Sequence, residues 1–93
     1  MDIDVILLNL FFFDFLNDKG NRIKGVSVRF IDPNDRGRDN QIGASIQKMT
    51  MPAEQWENLK AQNLQTFSKV KLTFEGFGRS MRLIKLEKVD DHD

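Results

Sequence analysis

Apolar and polar residues alternate along most of the chain, and the alternation falls into five segments typical of β-strands. Residues 3–16 form the first segment, which is unusual because apolar side chains occupy its odd and its even positions alike. The odd positions, among them Val5, Phe11 and Phe13, are predicted to form one face of the strand, and the even positions the other. We therefore predict a long strand that is covered on both faces, or one whose second face is an oligomer interface. The sequence NDKGN at 17–21 has the composition of a turn.

Residues 22–30, 41–49 and 67–74 alternate in the manner of strands with one buried face. The side chains predicted to face inward are Val26, Val28, Phe30, Ile42, Ala44, Ile46, Val70, Leu72 and Phe74. Those predicted to face outward are Ser27, Arg29, Gln41, Ser45, Gln47, Phe67, Lys69 and Lys71. Gly25 and Gly43 lie inside these segments, where glycine is typical of a bulge or a sharp bend.

The remaining segments are a loop, a helix and a last strand. Residues 32–40 are polar apart from a proline and form the loop. Residues 52–64 change to a helical period, with Pro52 at the first helical position and Trp56 as the anchor to the core. Residues 79–89 form the last strand, and its alternation slips at Leu83–Ile84, which predicts a bulge there.

The predicted element order is therefore β-β-β-α-β-β, which makes the protein mainly β. This is the order of the five-stranded oligonucleotide-binding (OB) barrel, in which a ligand lies across strands 2 and 3. The alternative is another small α+β domain, with the helix packed on an open antiparallel sheet. We expect one OB-like domain over residues 1–89 and a short acidic tail over residues 90–93.

The composition gives little support to catalysis. The chain has no cysteine, and its one histidine, His92, lies in the acidic tail, so we expect no metal, no cofactor and no enzyme activity. The apolar run at 5–16 is too short to span a membrane and is interrupted by Asn9 and Asp14. We therefore expect a cytoplasmic protein without a membrane partner.

Charge is unevenly distributed along a chain whose net charge is zero. Residues 19–48 hold seven basic and three acidic side chains, and residues 67–88 hold six basic and two acidic ones. Acidic residues predominate in residues 1–18 and at the C-terminal end. Segregation of this kind creates a basic surface on a neutral protein, as a nucleic-acid ligand requires.

The stretch FEGFGRSMRL at 74–83 places Phe77 between two glycines, with Arg79 and Arg82 following. One interpretation is that the glycines serve a hairpin turn and that Phe77 folds back onto the core. The other is that Phe77 is a platform for a nucleobase and that the arginines bind phosphates, since single strands are bound by aromatic faces and basic grooves.

The end of the chain, FEGFGRSMRLIKLEKV at 74–89, resembles the end of the small filamentous-phage single-strand-binding proteins. The resemblance lies in a Gly-Phe-Gly turn followed by a Met/Leu/Ile strand with interspersed basic residues. It implies an OB fold and a single-stranded DNA ligand. The small size of the chain favours an origin in a phage or mobile element. The phenylalanine-rich first strand and the amphipathic helix depart from that pattern.

We thus predict a non-enzymatic single-stranded DNA-binding protein that forms a homodimer. The predicted nucleic-acid-binding residues are Arg29, Arg36, Arg38, Gln47, Phe67, Lys69, Lys71, Phe77, Arg79 and Arg82. The alternative is a protein-interaction or assembly module that uses the apolar first strand as its interface.

Overall fold

The computed structural model describes residues 1–89, which form a five-stranded antiparallel sheet with a short helix between the third and fourth strands. The strands are β1 (Asp2–Leu16), β2 (Arg22–Ile31), β3 (Ile46–Met51), β4 (Lys69–Glu75) and β5 (Arg82–Lys88). They lie in the order β3-β2-β1-β4-β5. The predicted mainly-β class and the position of the helix are confirmed, and the acidic tail predicted at 90–93 lies outside the described residues.

The sheet is not closed into a barrel, which corrects the closure that the element order predicts. β3 and β5 are its two edges, and their Cα atoms come within 8 Å of each other in places. The Gln62 side chain occupies part of the β5 edge, because it donates a hydrogen bond to the carbonyl oxygen of Leu86 and accepts one from the amide of Lys88, both 2.9 Å long. This side chain thus satisfies backbone groups that a closing strand would otherwise pair.

A β-bulge in β1 decides which of its side chains face the core. The pairing of β1 with β2 is regular on both sides of Leu8, and the register shifts between Leu7 and Asn9. Before the bulge the odd residues Val5 and Leu7 are buried. After it the even residues face inward, and Phe12 packs against the core. The prediction that all odd positions share one face is therefore wrong beyond Leu8.

β3 is shorter than predicted, and the side chains that face the core are those predicted to face the solvent side of the strand. Ile31 pairs with Ile46 and Val26 pairs with Met51, so the side chains that face the core from this strand are Met49 and Met51. Ile46 is 70% exposed. Residues 41–45 belong to the preceding loop, so Gly43 does not mark a bulge in a strand.

The predicted helix at 52–64 divides into a 3-10 turn and a short α-helix, α1. The turn spans Ala53–Gln55 and is preceded by Pro52, and α1 spans Trp56–Ala61. The helix ends early because the chain turns at Asn63, which has a positive φ of 54°. Trp56 stacks on Phe12 with ring centroids 5.7 Å apart, so its predicted role as an anchor is confirmed.

β4 and β5 both begin later than predicted, since Phe67 and Ser68 precede β4 and residues 79–81 belong to the turn before β5. The facing of their core residues agrees with the prediction. Val70, Leu72 and Phe74 are buried as expected. The register between β4 and β5 shifts so that Ile84 has no direct partner, which confirms the bulge predicted at Leu83–Ile84. The core on the inner face of the sheet consists of Val5, Leu7, Val26, Val28, Phe30, Met51, Leu59, Val70, Leu72, Phe74, Leu83 and Leu86.

Candidate nucleic-acid interface

Two phenylalanine rings lie on the outer face of the sheet, which is the face turned away from the core. The bulge at Leu8 turns Phe11 and Phe13 to this face, opposite Ser27 and Gly25 of β2. Phe11 is 58% exposed. The Phe13 ring lies across the backbone of Gly25, so that a Cβ placed on Gly25 would be 2.8 Å from the Cζ atom of Phe13. The outer face therefore presents aromatic surface to the solvent.

Two cations lie beside these rings on the same face. Arg29 of β2 is directly opposite Lys48 of β3, and Asn9 is its partner on β1. Both cations are exposed, and neither forms a salt bridge within residues 1–89. Like charges directly opposite each other on neighbouring strands repel. An anion bound between Arg29 and Lys48 would remove this repulsion.

Ser27 lies between the rings and the cations. It pairs with Phe11 on one side and with Thr50 on the other. The residue is only 4% exposed, and its Oγ atom has no hydrogen-bond partner in the described structure. The outer face was predicted for Ser27, but its burial there was not. A buried hydroxyl without a partner is uncommon, since buried polar groups are usually hydrogen-bonded.

An ion pair holds together the far end of the hairpin that carries the rings. Arg22 donates two hydrogen bonds to the Asp14 carboxylate, from Nε at 2.7 Å and from Nη2 at 2.6 Å. The hydrogen bond from Arg22 keeps the pKa of Asp14 below its usual value. The Phe15 ring lies 6.1 Å from the Phe13 ring, between centroids, and extends the aromatic row towards the turn.

The predicted cations of β4 occupy another part of the sheet. Lys69 pairs with Ile6 of β1 and has no acidic residue opposite it there. Lys71 pairs with Asp4 on one side and with Glu87 on the other, so acidic neighbours offset its charge. Of the two lysines, Lys69 has the surroundings that better suit an anion.

The Asp35 carboxylate joins two parts of the loop between β2 and β3. Asp35 accepts hydrogen bonds from the amides of Ser45, at 2.8 Å, and Gly37, at 3.1 Å. These bonds, that from Ser45 foremost, keep the pKa of Asp35 below its usual value. Gly37 has a φ of +83°, and the exposed Arg36 and Arg38 lie on either side of it. The two arginines are thus displayed by a structured loop.

The turn between β4 and β5 carries the other predicted pair. Phe77 is 91% exposed, so its side chain does not fold back onto the core. Ser80 holds the turn by donating its hydroxyl to the Phe77 carbonyl at 2.7 Å and by accepting the Phe77 amide at 3.3 Å. Arg79 is exposed at the same turn, and Arg82 is opposite Glu75 at the start of β5.

The ten predicted residues do not form a single site. The loop at 32–45 follows Ile31, the last residue of β2. Ile31 pairs with Ile6 of β1, and Ile6 pairs with Lys69, so the loop lies at the end of the sheet where β4 starts. The Phe77 turn leaves the sheet at Glu75, the other end of the same strand. These ends are about 20 Å apart at the rise of an extended strand. Gln47 pairs with the core residue Phe30, so it lies on the face opposite to that of Arg29.

Sequence reasoning missed three residues of the outer face: Phe11, Phe13 and Lys48. Both rings were assigned to the side of Val5, because the bulge at Leu8 was not foreseen. Lys48 was missed because the predicted facing of β3 was inverted.

No helix within residues 1–89 has the length and apolar composition needed to span a lipid bilayer. In the same part of the chain, no three acidic or histidine side chains are grouped in a way that could hold a metal ion. His92 lies beyond the described residues. Comparison of the chain with protein-family models, curated proteins and solved structures gives no match. The resemblance at 74–89 thus stays a prediction.

Proposed function

We propose that this chain is a non-enzymatic single-stranded nucleic-acid-binding protein whose ligand lies on the outer face of β1, β2 and β3. The observation that carries the proposal is the position of Phe11 and Phe13 beside the opposed cations Arg29 and Lys48. Aromatic faces next to a basic track are the combination that binds single strands.

Each part of this surface has a distinct role in the proposal. Bases stack on Phe11 and Phe13, at about 1–3 kcal/mol for each stacked base. Arg29 and Lys48 neutralise phosphates and release counterions, which makes binding weaker as salt rises. Since stacking and charge accept any base, binding is largely independent of sequence.

The strand order supports an OB-like assignment of the fold. In the OB fold five strands form a partly open Greek-key barrel, and strands 2 and 3 carry the ligand. Here the two edge strands face each other across an open groove of about 560 Å³, and Arg29 and Lys48 lie on strands 2 and 3. The position of both cations on strands 2 and 3 supports the proposed site, because these are the strands that carry the ligand in the OB fold.

The test is fluorescence anisotropy with a labelled oligo-dT of about 15–30 nucleotides and a duplex of the same length. We expect the single strand to bind far better than the duplex and its affinity to fall steeply between low and physiological salt. Equal affinity for the duplex, or no binding at low salt, would contradict the proposal.

Variants of the cations sharpen this test. Lys48→Ala should lower the slope of log affinity against log salt by about 0.7, the value for one contact with a single strand. Lys60→Ala removes the same charge from α1, where Lys60 pairs with Glu57 and lies over Trp56. We expect this control to leave the slope unchanged.

A second candidate function is self-association through the same hairpin. Phe11, Phe15, Leu16 and Ile23 are all exposed apolar residues of this hairpin. A two-fold dimer would cover them. Light scattering across micromolar concentrations should then give the dimer mass, and an oligo-dT that competes for this face should shift the mass back towards the monomer. A constant monomer mass would exclude this alternative.

A further inference from the structure

Phe67 has a backbone conformation that a bulky residue rarely adopts. Its φ is +63°, in the left-handed region, where large side chains are strained. Its amide donates a 2.6 Å hydrogen bond to the carbonyl of Leu7, directly before the bulge in β1. The side chain is 77% exposed. The strained backbone therefore places an aromatic ring in the solvent without any burial to compensate.

The ring borders a concave site of about 430 Å³ at the start of β4. Among the described residues, the site is lined by Ile6, Gln65, Phe67, Ser68, Lys69, Lys88 and Val89, none of them acidic. Lys88 pairs with the core residue Val70, so its side chain lies on the face opposite to that of Lys69. Gln65 and Ser68 add polar groups beside the ring. An aromatic face beside the ammonium group of Lys69 matches a nucleobase and its phosphate.

The site is close enough to the outer face to hold part of the same ligand. Lys69 pairs with Ile6, and Ile6 pairs with Ile31, two residues after Arg29. Lys69 is two strands away from β2, and Arg29 is two residues along β2 from Ile31. At the usual strand spacing and rise per residue, the Cα atoms of Arg29 and Lys69 are therefore about 12 Å apart. A single strand that crosses the sheet can therefore reach both places.

We propose that this concave site is a nucleotide subsite, in which a base of the bound strand stacks on Phe67 and its phosphate is bound by Lys69. The inference rests on the proposed function. In this proposal the strained backbone at Phe67 holds the ring where it can contact the base, and strained residues are often found at binding sites.

The test uses the full chain and Phe67→Gly. Glycine adopts a positive φ without strain, so this variant should melt at the same temperature as the parent or a higher one. Its affinity for oligo-dT should fall about 5- to 150-fold, the loss for one stacked base. Phe67→Tyr keeps an aromatic face and should bind like the parent. Should Phe67→Gly fail to fold, Phe67→Asn replaces it, since asparagine also tolerates this conformation.

The outcomes separate this inference from the proposed function. Oligo-dT binding that Lys48→Ala weakens and Phe67→Gly does not would overturn the subsite and leave the outer-face proposal standing. A lower melting temperature for both Phe67→Gly and Phe67→Asn would also overturn it, because the ring would then serve the fold. An absence of oligo-dT binding by the parent would overturn both.

Discussion

Phe13 lies across Gly25, on the neighbouring strand, so closely that a Cβ atom at Gly25 would be 2.8 Å from the Cζ atom of the ring. The two residues are direct partners in the β1–β2 ladder. Glycine at this position is therefore a condition for the ring to lie along the sheet. The sequence pattern indicated a bulge at Gly25, but the pairing there is regular and the ring accounts for the glycine.

Gly25→Ala should displace the Phe13 ring. The added methyl would also approach the Met51 carbonyl at 3.2 Å and Thr50 Cγ2 at 3.3 Å, so it has little room to move. We expect a loss of stability of about 1–3 kcal/mol, as for other overpacked sites, together with weaker oligo-dT binding. Urea denaturation and anisotropy measure the two effects.

Ser27→Ala is the matched control for Gly25→Ala. It changes a neighbouring position of the same face without adding bulk, and it removes a buried hydroxyl that has no hydrogen-bond partner among residues 1–89. We expect its stability to equal or exceed that of the parent. If both variants lose the same stability, crowding of the Phe13 ring does not explain the effect of Gly25→Ala.

Two substitutions in the Phe77 turn separate the contribution of base stacking to binding from that of charge. Phe77→Ala should leave the melting temperature unchanged, because the side chain is exposed and Ser80 holds the turn through backbone atoms. With an oligo-dT of about 30 nucleotides, which is long enough to extend from the outer face to this turn, the variant should lose about 1–3 kcal/mol of binding free energy. Arg79→Ala should instead lower the salt slope by about 0.7. Unfolding of Phe77→Ala would show that the ring belongs to the fold after all.

Acid should loosen the loop that displays Arg36 and Arg38. The pKa of Asp35 is lowered in the folded state by its bonds to Ser45 and Gly37. Its contribution to stability is therefore present above the unfolded pKa, about 3.9, and is lost as the pH falls through the lower, folded pKa.

Amide exchange at Ser45 and Gly37 is the measurement of this acid effect. Both amides should be protected at neutral pH, and their protection relative to the intrinsic exchange rate at the same pH should fall as the Asp35 carboxylate is protonated. Asp35→Ala should remove the protection at every pH. Unchanged protection in that variant would mean that other contacts order the loop.

Most of the residues on the outer face could have been predicted from the sequence by extending the β1–β2 pairing from the first turn. The turn at 17–21 pairs Leu16 with Arg22, and the same count places Phe12 opposite Val26. Because Val26 faces the core, Phe12 must do so too, and Phe11 and Phe13 must face outward. Because apolar residues occupy both faces of β1, the alternation pattern does not reveal that the bulge at Leu8 exchanges the two faces.

Other features depend on contacts that no local pattern encodes. The register of β3 follows from a loop that Asp35 ties to Ser45, ten residues further along the chain. The open edge of β5 depends on Gln62, which lies beyond the helix. The positive φ of Phe67 accompanies its hydrogen bond to Leu7, a residue sixty positions away. The sequence pattern therefore predicted the secondary-structure elements and the inward or outward direction of many side chains, but not these long-range contacts.

The most direct test of the central claim is an NMR titration of the amide signals with oligo-dT, with a duplex of the same length as the control. We expect the single strand to shift the signals of the outer face, namely Phe11, Phe13, Ser27, Arg29, Lys48 and Thr50. Signals of Leu59 and Gln62, at the helix, should stay in place. The absence of shifts at low salt, or shifts confined to the helix, would contradict binding of single strands on the outer face of β1, β2 and β3.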